Sequence, residues 1–301
     1  MPRELVIISG KGGTGKTSVT AAFAVLAGKA VMADCDVDAA DLHLVLAPQV
    51  RERHEFRSGH EAVIHPDACT GCGACASLCR YAAAVPHSNE GGRTVYTIDP
   101  VSCEGCGVCV RFCPAHAIDF PEQRCGEWMV STTRCGPMVH ARLAAAAENS
   151  GKLVTAVRRE ARRIAAEENR PLIIVDGPPG IGCPVIASLG GASLVLVVTE
   201  PTVSGIHDLR RVLSLARHFK VPAAVCVNKW DLNPAMAAGI ETEARACAAP
   251  PAGRIPYDPS VTAAQMAGTS VVELGGGEAA QAIGRLWNTV NGILSRNGTT
   301  G

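Results

Sequence analysis

The chain has 301 residues, 47% of them apolar and 19% charged, with 28 basic and 28 acidic side chains and a formal net charge of zero. That composition is globular and excludes a disordered chain. The balanced charge argues against a dedicated nucleic-acid or anionic-membrane binder.

Leu5–Ser9 reads as a buried strand that opens into a glycine-rich loop and a helix through Ala27; Ala30–Asp34 reads as the next strand. From Arg51 to Pro121 the chain is dense in Cys, Gly and Pro and shows no long helical pattern. The rhythm resumes with a strand near Trp128–Thr132 and a helix over Val154–Glu168, where Val154, Val157, Ala161 and Ile164 share a face. Leu172–Val175, Leu194–Thr199 and Ala223–Val227 are short apolar runs flanked by helix-like stretches. The alternation predicts an α/β fold: βαβ crossovers and a mostly parallel sheet with helices on both faces. The simplest organisation is a discontinuous domain, residues 1–50 and 121–301, with a smaller domain, 58–120, inserted after the second strand.

No apolar run approaches the roughly 18 residues of a membrane span. The N-terminal residues lack the long apolar region of a signal peptide. A cytoplasmic protein is expected, and there the 14 cysteines favour metal over disulfides.

Gly10, Lys11, Gly12, Gly13, Thr14, Gly15, Lys16 and Thr17 fit the pattern G-x-x-x-x-G-K-T between a strand and a helix. The glycines let backbone N–H groups turn toward phosphate oxygens, and the helix N-terminus adds a positive dipole. Lys16 is expected at the β- and γ-phosphates and the Thr17 hydroxyl on Mg²⁺.

The stretch CTGCGACASLC holds Cys69, Cys72, Cys75 and Cys79; Cys103, Cys106, Cys109 and Cys113 repeat it 34 positions later, as Ile98 and Pro100 repeat Ile64 and Pro66. The duplication therefore extends beyond the cysteines and predicts a pseudo-symmetric module. C-x-x-C-x-x-C-x-x-x-C is the bacterial ferredoxin spacing, in which the fourth cysteine of each run ligates the other cluster. One 4Fe–4S cluster would take Cys69, Cys72, Cys75 and Cys113, the other Cys103, Cys106, Cys109 and Cys79. Zinc would ask for pairs separated by a longer gap. One departure is that Arg80, not proline, follows Cys79.

The KGGTGKT string resembles the phosphate loop of the MinD/ParA superfamily of P-loop ATPases, which includes the nitrogenase iron protein and Mrp-type iron–sulfur carriers. The resemblance implies that Lys11 acts across a dimer interface, on the partner's nucleotide. In ADCDVD it gives Asp36 the attacking water and Asp34 a share of Mg²⁺. In IIVDGPPG it gives Asp176 the Mg²⁺ and Gly180 the γ-phosphate. Asn228 in VNKWD, with Pro256 and Tyr257 in RIPYDPSV, would meet the base. With the cysteine runs, the chain is similar to members of this superfamily that carry an inserted ferredoxin domain; Arg134–His140 and the run ENSGKLVTAVR starting at Glu148 fit that group too.

ATP, Mg²⁺ and two 4Fe–4S clusters are the implied cofactors. An ATP-dependent homodimer, or a heterodimer with a paralogue, is the implied assembly, and a redox or metallocentre-assembly protein the implied partner. Nucleotide-gated electron transfer is the leading expectation. Assembly or insertion of a metal centre is the alternative, and MinD-like positional organisation a third.

Other residues read two ways. Cys183 follows Asp176 at an offset similar to that of a cluster ligand in the nitrogenase iron protein, with Cys125 and Cys135 unplaced as its companion; the plainer reading is a buried apolar cysteine. Cys35, Cys226 and Cys247 are expected in the core. Arg158, Arg159, Arg162 and Arg163 read as a solvated face. MinD uses a C-terminal amphipathic helix on membranes, but Ile283, Leu286, Trp287, Val290, Ile293 and Leu294 sit opposite few basic residues here, so core packing is expected.

Overall fold

The structure is a computed structural model and describes residues 2–89, 91–144 and 150–297. In chain order the elements are β1 (Arg3–Ser9), α1 (Lys16–Ala27), β2 (Ala30–Asp34), α2 (Leu42–Leu46), β3 (Gln49–His60), β4 (Val63–Ile64), α3 (Ala74–Leu78), β5 (Ala84–Ser88), β6 (Thr94–Ile98), α4 (Val108–Arg111), β7 (Ile118–Asp119), β8 (Glu122–Thr133) and β9 (Gly136–Leu143). There follow α5 (Ser150–Glu167), β10 (Leu172–Pro179), α6 (Cys183–Leu189), β11 (Leu194–Thr199), α7 (Val203–His218), β12 (Ala223–Asn228), a 3-10 turn (Trp230–Leu232), α8 (Pro234–Ala246), β13 (Pro251–Ile255), α9 (Pro259–Met266), α10 (Val271–Leu274) and α11 (Glu278–Asn297).

The chain divides into two compact units, one of Met1–His54, Glu127–Leu143 and Ser150–Gly301, the other of Glu55–Gly126 and Ala144–Asn149. The first is built on a sheet of order β13-β12-β11-β1-β10-β2-β9-β8-β3, of which β3 and β8 belong to it over 49–54 and 127–133. From β13 through β9 the neighbours run parallel. Their residues are apolar on both sides because helices cover both faces: Leu5–Ile8, Ile173–Val175 and Leu194–Val198 are all fully buried. One face packs Leu5, Ile7, Met32 and Ile174 against Phe23 of α1 and against Ile283, Leu286, Val290 and Leu294 of α11. The C-terminal apolar stripe is thus core, as its weakly basic flank implied. No helix among the described residues is long and apolar enough to cross a membrane.

Helix starts follow local chemistry. Thr202, Asn233 and Asp258 cap α7, α8 and α9 through side-chain oxygens, and Pro234 and Pro259 take first-turn positions where no N–H is needed.

Five expectations need correcting. The strand near Trp128–Thr132 is longer, Glu122–Thr133, and the helix expected from Val154 begins at Ser150. Arg158 is not on a solvated face: it is 3% exposed, and its Nε donates to Glu4 Oε1 at 2.6 Å. Its other nitrogens reach the carbonyls of Ala187 and Gly190, while Arg162 shares Glu4. Cys183 is exposed rather than buried and Cys247 only half-buried, whereas Cys35 and Cys226 are core. Glu148 and Asn149 of the run starting at Glu148 lie outside the described residues.

The second unit contains two small antiparallel pairs, β4 with β7 and β5 with β6. Its backbone repeats at the 34-residue offset. Ile64 pairs Ile118 as Ile98 pairs Ala84. His65 N–H donates to Ala117 O at 2.8 Å, as Asp99 N–H does to Ala83 O at the same distance.

Candidate functional site

The loop between β1 and α1 is shaped by glycines. Gly13 and Gly15 have φ of +76° and +88°, a region an L side chain adopts only under strain. A Cβ on Gly15 would also lie 2.3 Å from Asn228 Nδ2. Gly12, Gly13, Thr14, Gly15, Lys16 and Thr17 line an open cleft of about 1540 Å³, together with Asp36, Asn228, Pro256 and Tyr257. Parallel strands put these segments together, since β1, β2 and β12 all end on the same side of the sheet.

Lys16 is 6% exposed. Its Nζ lies 3.0 Å from Asp36 Oδ2 and 3.3 Å from Asp176 Oδ1. Burial disfavours the ammonium, but Asp176, Asp36 and Asp34 outweigh it and hold Lys16 above its ordinary pKa. Asp176 is fully buried and reaches the cleft through Lys16 and through Thr17, whose hydroxyl donates to Oδ2 at 2.8 Å. Asp34 is fully buried; its Oδ1 accepts the Asp36 N–H while Oδ2 has no hydrogen-bond partner among the described residues. Burial, then the neighbouring Asp176, pushes the Asp34 carboxyl well up, and burial likewise raises Asp36 against the pull of Lys16. Two buried carboxylates with a threonine hydroxyl make an oxygen set suited to Mg²⁺ with its waters.

Gly180 has φ of +88° and donates its N–H to Ser9 O at 2.8 Å. Gly10 lies so close to α7 that a Cβ would fall 2.3 Å from Asp208 Cβ. Asn228 serves the loop: its Nδ2 donates to Thr14 O at 2.8 Å and its Oδ1 accepts the Lys229 N–H. Lys11 turns to its own chain, 2.5 Å from Glu200 Oε1.

Sequence reasoning missed Thr20, Glu200 and Lys229. Thr20, fully buried on α1, lies 2.9 Å by its hydroxyl from Asp176 Oδ1; its i+4 spacing from Lys16 carried that signal. Lys229 Nζ donates to Gly13 O at 3.2 Å. Both Glu200 and Lys229 follow the C-terminal end of a parallel strand, where ligand sites of such sheets gather.

In the second unit the eight cysteines surround two cavities. One is lined by Cys69, Cys72, Cys75 and Cys113, the other by Cys79, Cys103, Cys106 and Cys109. Gly71, Gly73, Gly105 and Gly107 all have positive φ. A Cβ on Gly71 would lie 2.3 Å from Thr94 O, and one on Gly105 the same distance from His60 O, again 34 residues apart. Cys79 Sγ accepts the Ala83 N–H at 3.3 Å and Cys113 Sγ the Ala117 N–H at 3.4 Å. Burial opposes ionisation of Cys79, but surrounding backbone N–H groups, first that of Tyr81, hold the thiol below its ordinary pKa. Among the described residues no three His, Cys, Asp or Glu side chains form a group that would hold a single metal ion. Cys183 lines neither cavity.

Residues 5–271 match the family described as the CobQ/CobB/MinD/ParA nucleotide binding domain. An uncharacterised protein of Methanocaldococcus jannaschii is 34% identical over 235 residues, covering 76% of this chain and 79% of its own; a second from the same organism is 23% identical, covering 76% and 82%. Among solved structures, the septum site-determining protein MinD of Pyrococcus horikoshii, complexed with Mg-ADP, superposes with a TM-score of 0.61 at 18% identity over 99% of both chains. A ParA family ATPase of Chlorobium tepidum gives 0.55 at 18% identity, covering 98% of this chain and 99% of its own.

Proposed function

The chain belongs to the CobQ/CobB/MinD/ParA nucleotide-binding family, and on that premise we propose that it binds and hydrolyses Mg·ATP and couples nucleotide state to electron transfer through two 4Fe–4S clusters. One observation carries the iron–sulfur half of this reading. Each cavity is lined by four cysteines, three from one run and the fourth from the other, as the bacterial ferredoxin spacing requires. The donor set fits the group: four thiols per cavity, sulfurs that accept backbone N–H groups, and left-handed glycines that let the backbone approach. Cys69, Cys72, Cys75 and Cys113 would hold one cluster, and Cys79, Cys103, Cys106 and Cys109 the other. When bound, such clusters take up and release single electrons. The inserted domain of this reading is the cysteine unit.

The nucleotide half follows from groups already poised. Lys16 neutralises Asp36 and Asp176 in the free chain and would turn to the β- and γ-phosphates. Thr17 would pass from Asp176 to Mg²⁺, with Asp176 and Asp34 holding the ion through water. Asp36, released by Lys16, would orient the attacking water. Two chains would pair in ATP, with Lys11 reaching the partner's phosphates, and separate after hydrolysis; ATP favours the paired state only by its differential contacts there.

The test is chemical and then thermodynamic. Anaerobically isolated protein should contain about eight irons and eight sulfides per chain; zinc as the dominant metal would sink the cluster reading. A redox titration followed by EPR, with and without Mg·ATP, then measures coupling. Linkage demands that any shift in potential reappear as a difference in ATP affinity between oxidised and reduced protein. Identical potentials and affinities would reduce the cysteine unit to a tethered electron supply.

A further inference from the structure

Glu200 has no role in the nucleotide chemistry described so far. It is the first residue past β11, the strand beside β1, so the topology carries it to the end of the sheet where β1 opens into the phosphate loop. There its carboxylate divides between two lysines, with Oε1 2.5 Å from Lys11 Nζ and Oε2 3.5 Å from Lys229 Nζ. Lys11 Nζ also donates to the Thr202 hydroxyl at 3.3 Å and the Ser204 hydroxyl at 3.1 Å. An ammonium has three protons, and here three acceptors of the same chain are set to receive them. The Lys11 and Glu200 side chains are 32% and 17% exposed, so solvent screens their attraction only in part.

We propose that Glu200 is a positioning residue that holds Lys11 within its own chain, and that ATP-dependent pairing of two chains requires this ion pair to open. The inference rests on the pairing proposed above. Opening leaves Glu200 with Lys229 as counter-ion, so the carboxylate is never bare. It frees Lys11 for the phosphates of the second chain's nucleotide. Both chains open one such pair, so neutralising Glu200 acts twice: about fivefold per chain, and about twenty-five-fold on the dissociation constant of the dimer.

The experiment compares full-length wild type, Glu200→Gln and Glu200→Asp. Two readouts are taken: sedimentation with Mg²⁺ and a non-hydrolysable ATP analogue, and mass-spectrometric labelling of Lys11 by an amine reagent in the nucleotide-free chain. The expected result for Glu200→Gln is faster Lys11 labelling and pairing at about twenty-five-fold lower concentration, with a melting temperature lowered by no more than about 4 °C; Glu200→Asp restores protection. A purely structural Glu200 would instead weaken pairing as the melting temperature falls. Unchanged Lys11 labelling, or pairing that is unchanged or weaker in Glu200→Gln, overturns the proposal. A wild-type chain that never pairs overturns the dimer reading itself, and the opening step with it; Lys11 labelling then still decides whether Glu200 holds the lysine.

Discussion

The two units solve the problem of a buried polar site in opposite ways. In the nucleotide unit the charges are matched by protein: Lys16 by Asp36 and Asp176, Arg158 by Glu4, Lys11 by Glu200. All of these but Lys11 and Glu200 are buried beside a core that spans both sides of a large sheet, so the fold itself supports the site. The cysteine unit buries little: Ala62, Ile64, Cys69, Cys75, Ala84, Val95 and Ile118 make its cluster of buried apolar residues, and two of those are proposed ligands. A segment of that size with so small a core needs a metal or other staple. The difference teaches where stability comes from. One site is supported by its fold, while the other fold would be supported by its site.

The largest expected effect breaks this comparison directly. Removing the proposed iron with a chelator under reducing conditions should unfold the cysteine unit and leave nucleotide binding in place. Limited proteolysis should then cut within residues 55–126 while Mg·ATP affinity stays within about twofold of the untreated protein. Equal protease resistance before and after would show that the small core suffices by itself.

Lys16→Ala comes next. It removes the proposed main partner of the phosphates and leaves Asp36 and Asp176 as like charges without their lysine. Breaking a buried pair in this way costs about 3–5 kcal/mol, so Mg·ATP affinity should fall by about two to four orders of magnitude. Calorimetry checks it. Affinity within tenfold of wild type would mean that another group, such as Lys229, carries the phosphates.

Much of this was legible in the sequence, and the reasons differ by unit. Buried parallel strands are continuous apolar runs, so Ala30–Asp34 and Leu194–Thr199 could be read to the residue. The phosphate loop and the cysteine runs are rigid spacings that few other chemistries need. Most of what escaped had no local signal. The strand Gln49–His60 reads RERHEFR through its middle and is mostly exposed, so it lacks the apolar alternation that marks a strand. Arg158 looked like its solvated neighbours because its partner, Glu4, lies 154 residues away. Glu200 and Lys229 join the phosphate loop only when strand order is known.

A smaller effect sharpens the contrast through pH. His140 on β9 is 7% exposed, with Nε2 2.8 Å from the Ser131 hydroxyl. Burial, then His43, Arg53 and Arg142, hold its pKa down to about 4, against an unfolded value of about 6.5. Between those values the unfolded chain binds the extra proton, so stability is full above about pH 6.5 and falls as pH drops toward 4. The whole step is about 3 kcal/mol. His140→Gln should flatten the fall in urea midpoint between pH 7 and pH 4.5. The raised carboxyls of Asp34 and Asp36 work the other way, gaining relative stability as pH falls. An identical slope in wild type and variant would remove His140 from the account.

The smallest effect tests how complete the protein-built site is. Asp176 has three protein neighbours within hydrogen-bond range: Lys16 and the Thr20 hydroxyl near Oδ1, and Thr17 at Oδ2. When nucleotide arrives, Lys16 and Thr17 are proposed to leave for phosphate and Mg²⁺, and Thr20 alone would keep the carboxylate aimed. The Thr20 hydroxyl also lies 3.0 Å from the Lys16 carbonyl one turn back, so its single proton has two acceptors to choose between. Thr20→Val keeps the volume and removes the donor. A hydrogen bond to a charged group is worth about 1.5–3 kcal/mol; with the proton shared, the lower end applies and ATP turnover should fall by about tenfold. Mg²⁺ should be needed at higher concentration, and Thr20→Ser should restore both. Turnover lost without a change in Mg²⁺ dependence would mean that Thr20 packs α1 rather than aims Asp176.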